Sequence, residues 1–191
     1  YLGDKGYFPN RFPNATYAAM ITYLDQQVGE LVQLLKDEGL YENTIIVFTS
    51  DNGPTYAGGV DPEYFNSGGI FPNAYGRTKG FSYEGGIRVP TIARWPGKVA
   101  AGQKTDHVSA FWDVLPTLAD LTNVELASKT DGLSFLPTLL NARPQKQHAS
   151  LYWEFHRGNG DHAQAVRIKD DIYGDWKAIR IYNKKQRVNP P

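Results

Sequence analysis

The stretch that decides the fold is Asn43-Thr44-Ile45-Ile46-Val47-Phe48-Thr49-Ser50-Asp51-Asn52-Gly53, an apolar, β-branched run that ends abruptly in small polar residues. Its apolar part, 45–48, predicts a strand buried on both faces, as in the interior of a parallel sheet. Because such sheets bind ligands just beyond the carboxyl ends of their strands, we expect Asp51 and Asn52 at that edge. Their carboxylate and carboxamide oxygens suit Ca²⁺ or Mg²⁺. From these residues alone, a polar turn that only closes the strand is the alternative interpretation.

Length and composition limit the classes of protein to consider. The chain has 191 residues, 41% of them hydrophobic and 13% aromatic, so it can bury a substantial core. Lys plus Arg and Asp plus Glu both number 20, and this balance argues against a nucleic-acid-binding surface or a polybasic membrane contact. The absence of cysteine excludes disulfides, thiolate metal sites and a cysteine nucleophile. No apolar stretch is long enough to span a membrane.

A long amphipathic helix is predicted before the decisive stretch. One apolar stripe recurs at helical spacing between about Asn14 and Glu38, and Gly39 is the expected stop. The stripe consists of Tyr17, Met20, Ile21, Leu24, Val28, Leu31, Val32 and Leu35. Asn14 fits either a helix cap or a glycosylation sequon. A helix followed by a buried strand is half of a βαβ unit, so the sequence predicts an α/β class.

Two segments after Asn52 are candidates for substrate contacts. Residues 54–76 form a long connection without helical or alternating pattern, which we interpret as the rim of a substrate pocket. Arg77 and Lys79 follow in a Gly-rich turn whose backbone amides could face an anion. A lysine ammonium is a compact point charge suited to sulfate or phosphate. For a single lysine, a solvated loop position is the alternative.

The last third of the chain changes character. Short strands are predicted at 89–94 and 108–111, and Asp113 is expected to cap a helix. His107 fits a turn hydrogen bond better than a metal-ligand role. Three short aromatic or β-branched runs, at 151–155, 163–168 and 176–181, then predict an antiparallel meander. We therefore divide the chain into an α/β part, 1–145, and a small antiparallel subdomain, 146–191.

An ordered set of motifs resembles the C-terminal half of a type I sulfatase. The motifs are Asn43 to Pro54, Lys79 five residues before Glu84-Gly85-Gly86-Ile87-Arg88-Val89-Pro90, Ala110-Phe111-Trp112-Asp113-Val114-Leu115-Pro116-Thr117, Asp131-Gly132, Tyr152-Trp153-Glu154 and Gly174-Asp175-Trp176-Lys177. The resemblance spans nearly the whole chain. It implies an alkaline-phosphatase-like α/β fold, with a mainly parallel sheet flanked by helices, and hydrolysis of sulfate esters.

The resemblance also implies roles for individual residues. Asp51 and Asn52 would be two ligands of an active-site Ca²⁺, with Mg²⁺ as the alternative ion. Lys79 would be catalytic and would contact the sulfate, with Arg77 and His156 as further substrate-binding candidates. A formylglycine would be the nucleophile, and the substrate a sulfated small molecule or glycan. Relatives of this kind are periplasmic, secreted or lysosomal.

The chain departs from the family pattern where the nucleophile is expected. No serine or cysteine heads a Cys/Ser-x-Pro-x-Arg motif. We therefore expect a missing N-terminal half that carries it, a further strand after the C-terminus, and no activity of this chain alone. Two alternatives stay open. One is a non-catalytic module that binds anions or glycans, and the other is a phosphodiesterase or phosphotransferase using Asp106 and His107.

Overall fold

The computed structural model describes residues 11–142, 144–156 and 160–182. Its helices are α1 (Pro13–Asp37), α2 (Glu84–Ile87), α3 (Val114–Thr122) and α4 (Leu136–Leu139). Its strands are β1 (Ile46–Thr49), β2 (Thr91–Arg94), β3 (Ser150–His156), β4 (His162–Ile168) and β5 (Trp176–Tyr182). Short 3₁₀ turns lie at Tyr41–Asn43, Ala57–Gly59 and Phe111–Asp113. Within these ranges we find no helix with the length and apolar character needed to cross a membrane.

Helix α1 confirms the predicted amphipathic helix to within one residue at each end. Pro13 occupies its first turn, where a missing N–H costs nothing. Gly39 ends it with a φ of 69°, and the N–H of Leu40 donates to the carbonyl of Leu35 at 2.8 Å. Asn14 does not cap the helix; its Oδ1 accepts the N–H of Asp61 at 3.1 Å. This bond ties the start of α1 to the connection after β1.

The prediction for residues 45–48 is right about the strand and wrong about its surroundings. Strand β1 pairs antiparallel with β2, from Ile46 opposite Arg94 to Thr49 opposite Thr91. It is therefore not part of a parallel sheet within the described residues. Val47 is 50% and Phe48 41% exposed, so neither face is buried. The physical reason is that this sheet has two strands in the described part of the chain, and too little packs on either face to bury them.

The segment before α3 also differs from the prediction. Residues 104–110 form no strand, and Phe111–Asp113 is a 3₁₀ turn. Asp113 is fully buried, and its carboxylate accepts the N–H of Ala110 at 2.8 Å and that of Leu133 at 2.8 Å. It therefore holds two loops together and does not cap α3 through its side chain.

The C-terminal meander is confirmed. Strands β3, β4 and β5 pair antiparallel in sequence order. Leu151, Ala163 and Ala165 are buried on one face. On that face the ring of Trp153 lies 5.8 Å from the ring of Trp112, so the sheet packs on the segment before α3. The boundary between residues 145 and 146 stays a prediction.

Candidate functional site

Two backbone hydrogen bonds join the loop after β1 to the turn that carries Lys79. The N–H of Gly53 donates to the carbonyl of Gly86 at 3.0 Å. The N–H of Lys79 donates to the carbonyl of Pro54 at 2.8 Å. Residues far apart in sequence are thus fixed side by side. These bonds bring the loop that carries Asp51 and Asn52 close to the turn that carries Lys79.

Glycine makes this close approach possible. A Cβ atom on Gly53 would overlap the carbonyl oxygen of Gly85, and one on Gly86 would overlap the carbonyl oxygen of Phe81. A Cβ on Gly85 would lie 2.6 Å from the carbonyl oxygen of Arg77. All of these neighbours are backbone atoms, which cannot swing aside. The junction between the two loops therefore needs glycine at all three positions.

Asp51 and Asn52 present oxygen atoms that are free to bind a cation. Asp51 is exposed, and its carboxylate has no hydrogen bond or ion pair within the described residues. The Nδ2 group of Asn52 donates to the carbonyl of Gly53 at 2.9 Å, which leaves Oδ1 available. Ser50 supports the loop by donating its hydroxyl to the Asn52 carbonyl at 2.8 Å. These are two hard donors of the kind that Ca²⁺ and Mg²⁺ prefer.

The two donors do not make a complete cation site. Ca²⁺ takes about six to eight oxygen ligands. No group of three or more His, Asp or Glu side chains that could hold a metal occurs in residues 11–142, 144–156 and 160–182. Within the described residues, Asp51 and Asn52 therefore offer only two of the oxygen ligands that such an ion requires.

The turn at residues 77–79 alternates between exposed and buried side chains. Arg77 and Lys79 are exposed, whereas Thr78 between them is fully buried. The guanidinium of Arg77 stacks on the ring of Tyr83, 3.9 Å from its centroid. The Lys79 ammonium makes no ion pair within the described part of the chain. Its positive charge is therefore not neutralised by a neighbouring carboxylate.

The predicted rim, residues 54–76, is anchored to this turn. The Tyr56 hydroxyl donates to the carbonyl of Asn73, and burial raises the pKa of Tyr56. The buried hydroxyl of Thr78 lies beside it without meeting hydrogen-bond geometry. The side-chain oxygen of Asn73 accepts the N–H of Gly68 at 2.5 Å. The rim is thus organised by its own polar contacts, which supports its interpretation as a shaped loop.

Glu84 is a functional candidate that the sequence interpretation missed. One of its carboxylate oxygens lies 2.5 Å from Nζ of Lys177, and the other lies 3.6 Å from Arg167 and 3.8 Å from Arg88. Burial lowers the pKa of Lys177, although the Glu84 carboxylate opposes that shift. A signal was present, since Lys177 shares a strand face with Ile179 and Ile181. A cation on an apolar face usually has a buried partner.

His156 lies apart from the other candidates. It is on β3, its side chain is 72% exposed, and its ring stacks on that of His162 at 4.9 Å. Its Nε2 lies 3.4 Å from a carboxylate oxygen of Glu154. No described contact joins it to Asp51, Asn52 or Lys79. The structure therefore does not bring His156 into the same cluster.

A cavity of about 400 Å³ lies elsewhere, between the 103–108 segment, the end of α4 and strand β4. Its lining includes Asp106, His107 and His148. Burial lowers the pKa of His107, whose buried Nδ1 has no hydrogen-bond partner in the part of the chain that the structure describes. His148 is held by the buried carboxylate of Asp113 at 2.9 Å. Asp106 and His107 are the candidates of the phosphodiesterase or phosphotransferase alternative, whereas none of the predicted sulfatase site residues lines this cavity.

Two family models match the chain. The Sulfatase model matches residues 7–124, and the model described as N-sulphoglucosamine sulphohydrolase, C-terminal, matches residues 76–189. Steryl-sulfatase of Rattus norvegicus is 32% identical over 174 residues, covering 90% of this chain and 29% of that protein. N-acetylgalactosamine-6-sulfatase of Homo sapiens is 36% identical, covering 66% of this chain and 24% of that protein. The chain thus spans 24% and 29% of the length of these two relatives.

Solved structures agree with the family models. A protein determined in complex with its substrate D-glucosamine-2-N,6-O-disulfate has a TM-score of 0.61 and 25% identity, covering 89% of this chain and 33% of that one. The phosphonate monoester hydrolase of Agrobacterium radiobacter shares the fold, with a TM-score of 0.61 and 21% identity over 89% of this chain and 34% of that one. These likenesses confirm the alkaline-phosphatase-like α/β class. Because the matching model covers more than half of its residues, this chain belongs to the sulfatase family.

Proposed function

We propose that this chain supplies two ligands of the cation site and the sulfate-contacting lysine of an enzyme that hydrolyses sulfate esters. The observation that carries the proposal is the pair of backbone bonds from Gly53 to Gly86 and from Lys79 to Pro54. They fix a loop with two free oxygen donors beside a turn with an unneutralised ammonium. A sulfate ester is anionic, so its hydrolysis is favoured by positive charge close to the sulfate oxygens. A cation held by the loop of Asp51 and Asn52 would add its charge to that of the Lys79 ammonium.

Asp51 and Asn52 would hold a Ca²⁺ ion, or Mg²⁺ as the alternative, through the carboxylate and the amide Oδ1. When bound, such an ion acts as a Lewis acid that withdraws charge from the sulfate oxygens. The bond from Asn52 Nδ2 to the Gly53 carbonyl supports this role, because it occupies the donor end of the amide and leaves Oδ1 as the available ligand atom. The remaining ligands and the formylglycine nucleophile are assigned to an N-terminal half of the same enzyme.

Lys79 would stabilise the charge that develops on the oxygens of the transferred sulfuryl group. Its ammonium is exposed, and its backbone is held at Pro54, so the charge is available on a fixed stem. Arg77 is a weaker candidate for the same anion, because its guanidinium already stacks on Tyr83. His156 would contact a more distant part of the substrate from the edge of the second sheet.

The proposed substrate class is a sulfated small molecule or glycan. The names of the relatives cover steryl and N-acetylgalactosamine-6-sulfate esters, and one matching structure holds a disulfated glucosamine. These are substrates of those proteins. For this chain they support only the feature that the substrates share, a sulfate group attached to carbon-bound oxygen or nitrogen. The match to the N-sulphoglucosamine sulphohydrolase C-terminal model favours a sulfated amino sugar within that class.

The test is the turnover of an aryl sulfate and of a sulfated glucosamine by the full-length protein that carries this chain. Lys79→Ala should lower turnover by about 10²-fold, on the order of 3 kcal/mol, because a preorganised positive donor is lost. Its stability should change by less than about 0.5 kcal/mol, as for other exposed positions. Lys79→Arg should not restore activity fully, because a planar fork does not replace a point charge.

Lys98→Ala is the matched control, since Lys98, like Lys79, is an exposed lysine in a turn next to a glycine with positive φ. It should keep wild-type turnover. Wild-type turnover by Lys79→Ala would show that this turn is not an anion site and would overturn the proposal. The 191-residue chain alone should have no activity, since it lacks the nucleophile motif.

A further inference from the structure

Backbone hydrogen bonds connect the segment that carries Glu84 to the turn that carries Lys79. Glu84 begins α2, two residues before Gly86, whose carbonyl accepts the N–H of Gly53. The next residue, Pro54, accepts the N–H of Lys79 at 2.8 Å. Gly85 and Gly86 also lie so close to backbone carbonyls that neither position has room for a Cβ atom. We therefore expect a displacement of Glu84 to reach the turn that carries Lys79.

Two cations of the C-terminal sheet converge on the Glu84 carboxylate. Arg167 on β4 and Lys177 on β5 lie directly opposite each other in the strand register. Lys177 lies 2.5 Å from one oxygen of Glu84, and Arg167 lies 3.6 Å from the other. Arg167 is held in turn by Asp175 at 2.7 Å. Each oxygen of Glu84 thus faces one strand of the sheet.

These contacts are shielded from solvent more than ordinary surface pairs. The side chain of Lys177 is 14% exposed and that of Glu84 is 28% exposed. The Lys177 ammonium also lies 5.6 Å from the centroid of the Trp153 ring, which limits its conformations. A shielded pair of this kind holds its geometry, whereas an exposed pair such as Lys169 with Asp171, at 50% and 90%, contributes little.

We infer that Lys177 is a positioning residue that fixes the Lys79 turn through Glu84, with Arg167 as its supporting partner. The inference rests on the proposed function, because it assigns the C-terminal sheet a part in the same reaction. Lys177 does not touch the substrate in this proposal. Its role is to prevent the turn from drifting, and a misplacement of about 1 Å at a reacting group can cost as much as 10²-fold in rate.

The experiment is a double-mutant cycle in the full-length protein, read as kcat on a sulfate ester. Lys177→Met should lower kcat by about tenfold or more, with a smaller change in KM. Lys177→Arg should recover part of the loss, since it can still reach Glu84. Lys169→Met, at the exposed position just after β4, is the matched control and should leave kcat unchanged. In a Lys79→Ala background, Lys177→Met should have little further effect, because the group that it positions is gone.

A merely structural role would give a different pattern. If Lys177→Met lowers kcat by the same factor with and without Lys79, the positioning role is wrong. It is equally wrong if Lys177→Met behaves like Lys169→Met while Lys79→Ala is impaired, and that result leaves the proposed function intact. Absence of turnover by the wild-type protein overturns both. Should Lys177→Met fail to fold, Glu84→Gln in the same cycle gives the same decision.

Discussion

The turn that carries Lys79 and the nearby helix α2 contain two kinds of residue with opposite constraints. Arg77 and Lys79 are exposed, and neither makes an ion pair within the described residues. Thr78, Gly85 and Gly86 are buried against backbone atoms of the neighbouring loops. The exposed residues provide charge and the buried ones determine where that charge lies. Substitutions in this turn should therefore separate into those that change activity alone and those that change the fold.

The C-terminal sheet belongs with the buried residues that support the turn. Its contacts with the turn pass through Glu84, and its contacts with the segment before α3 pass through Trp153. Strand β1, in contrast, leaves Val47 and Phe48 exposed next to the loop that carries Asp51. The segment next to the Lys79 turn is thus in contact with the C-terminal sheet, whereas the strand that leads to Asp51 has exposed apolar side chains within the described residues.

The largest effect is expected for Gly86→Ala. The new methyl group would meet the carbonyl oxygen of Phe81, and backbone atoms cannot move aside cheaply. Overpacking of this kind typically costs about 1–3 kcal/mol in the free energy of unfolding. Gly29→Ala is the control, because Gly29 lies in α1 with open space around it and should gain up to about 1 kcal/mol. Denaturant unfolding measures the free energy of unfolding of both variants. Equal stability of Gly86→Ala and wild type would contradict a supporting role for the buried glycines.

A cation-dependent effect is expected for Asp51. If Asp51 and Asn52 are ligands, Ca²⁺ should stabilise the full-length protein by about 2.7 kcal/mol at a hundred times its Kd. Removal of the ion with a chelator should abolish that gain. Asp51→Ala should lose the Ca²⁺-dependent shift in Tm and leave the Ca²⁺-free Tm almost unchanged, since its carboxylate has no partner in the described residues.

Asp171→Ala is the control for this measurement, because Asp171 is 90% exposed and makes only a weak contact with Lys169. It should retain the full shift with Ca²⁺. The same shift in Asp51→Ala as in wild type would remove Asp51 from the cation site. Lys79 alone would then keep its proposed role in the reaction at this site.

The smallest effect is expected for Thr78→Val. The buried Thr78 hydroxyl has no hydrogen-bond partner among the described residues, so replacing it with a methyl group of similar size should change stability by less than about 1 kcal/mol. Turnover should stay close to the wild-type value, because Thr78 supports the turn by its shape. A loss of more than tenfold in turnover would mean that the Thr78 hydroxyl acts in the reaction. Thr78 would then be a buried residue with a chemical role, and not only a support for the turn.

The sequence alone determined the elements whose signals are local. Helix α1 follows from a stripe of apolar residues at helical spacing, with Pro13 at its start and Gly39 at its end. The C-terminal meander follows from alternating strands separated by short turns. Family membership was also accessible, because an ordered set of short motifs is specific even where each motif is weak.

The tertiary structure decided which distant residues meet. The antiparallel pairing of β1 with β2 joins Thr49 to Thr91, 42 positions later, and the bond from Lys177 to Glu84 spans 93 positions. The burial of Asp113 likewise depends on Leu133 and His148. A periodic pattern specifies which side of a strand or helix is apolar, but it carries no information about the direction in which a long connection returns. Partners and strand direction are therefore fixed only when the whole chain packs.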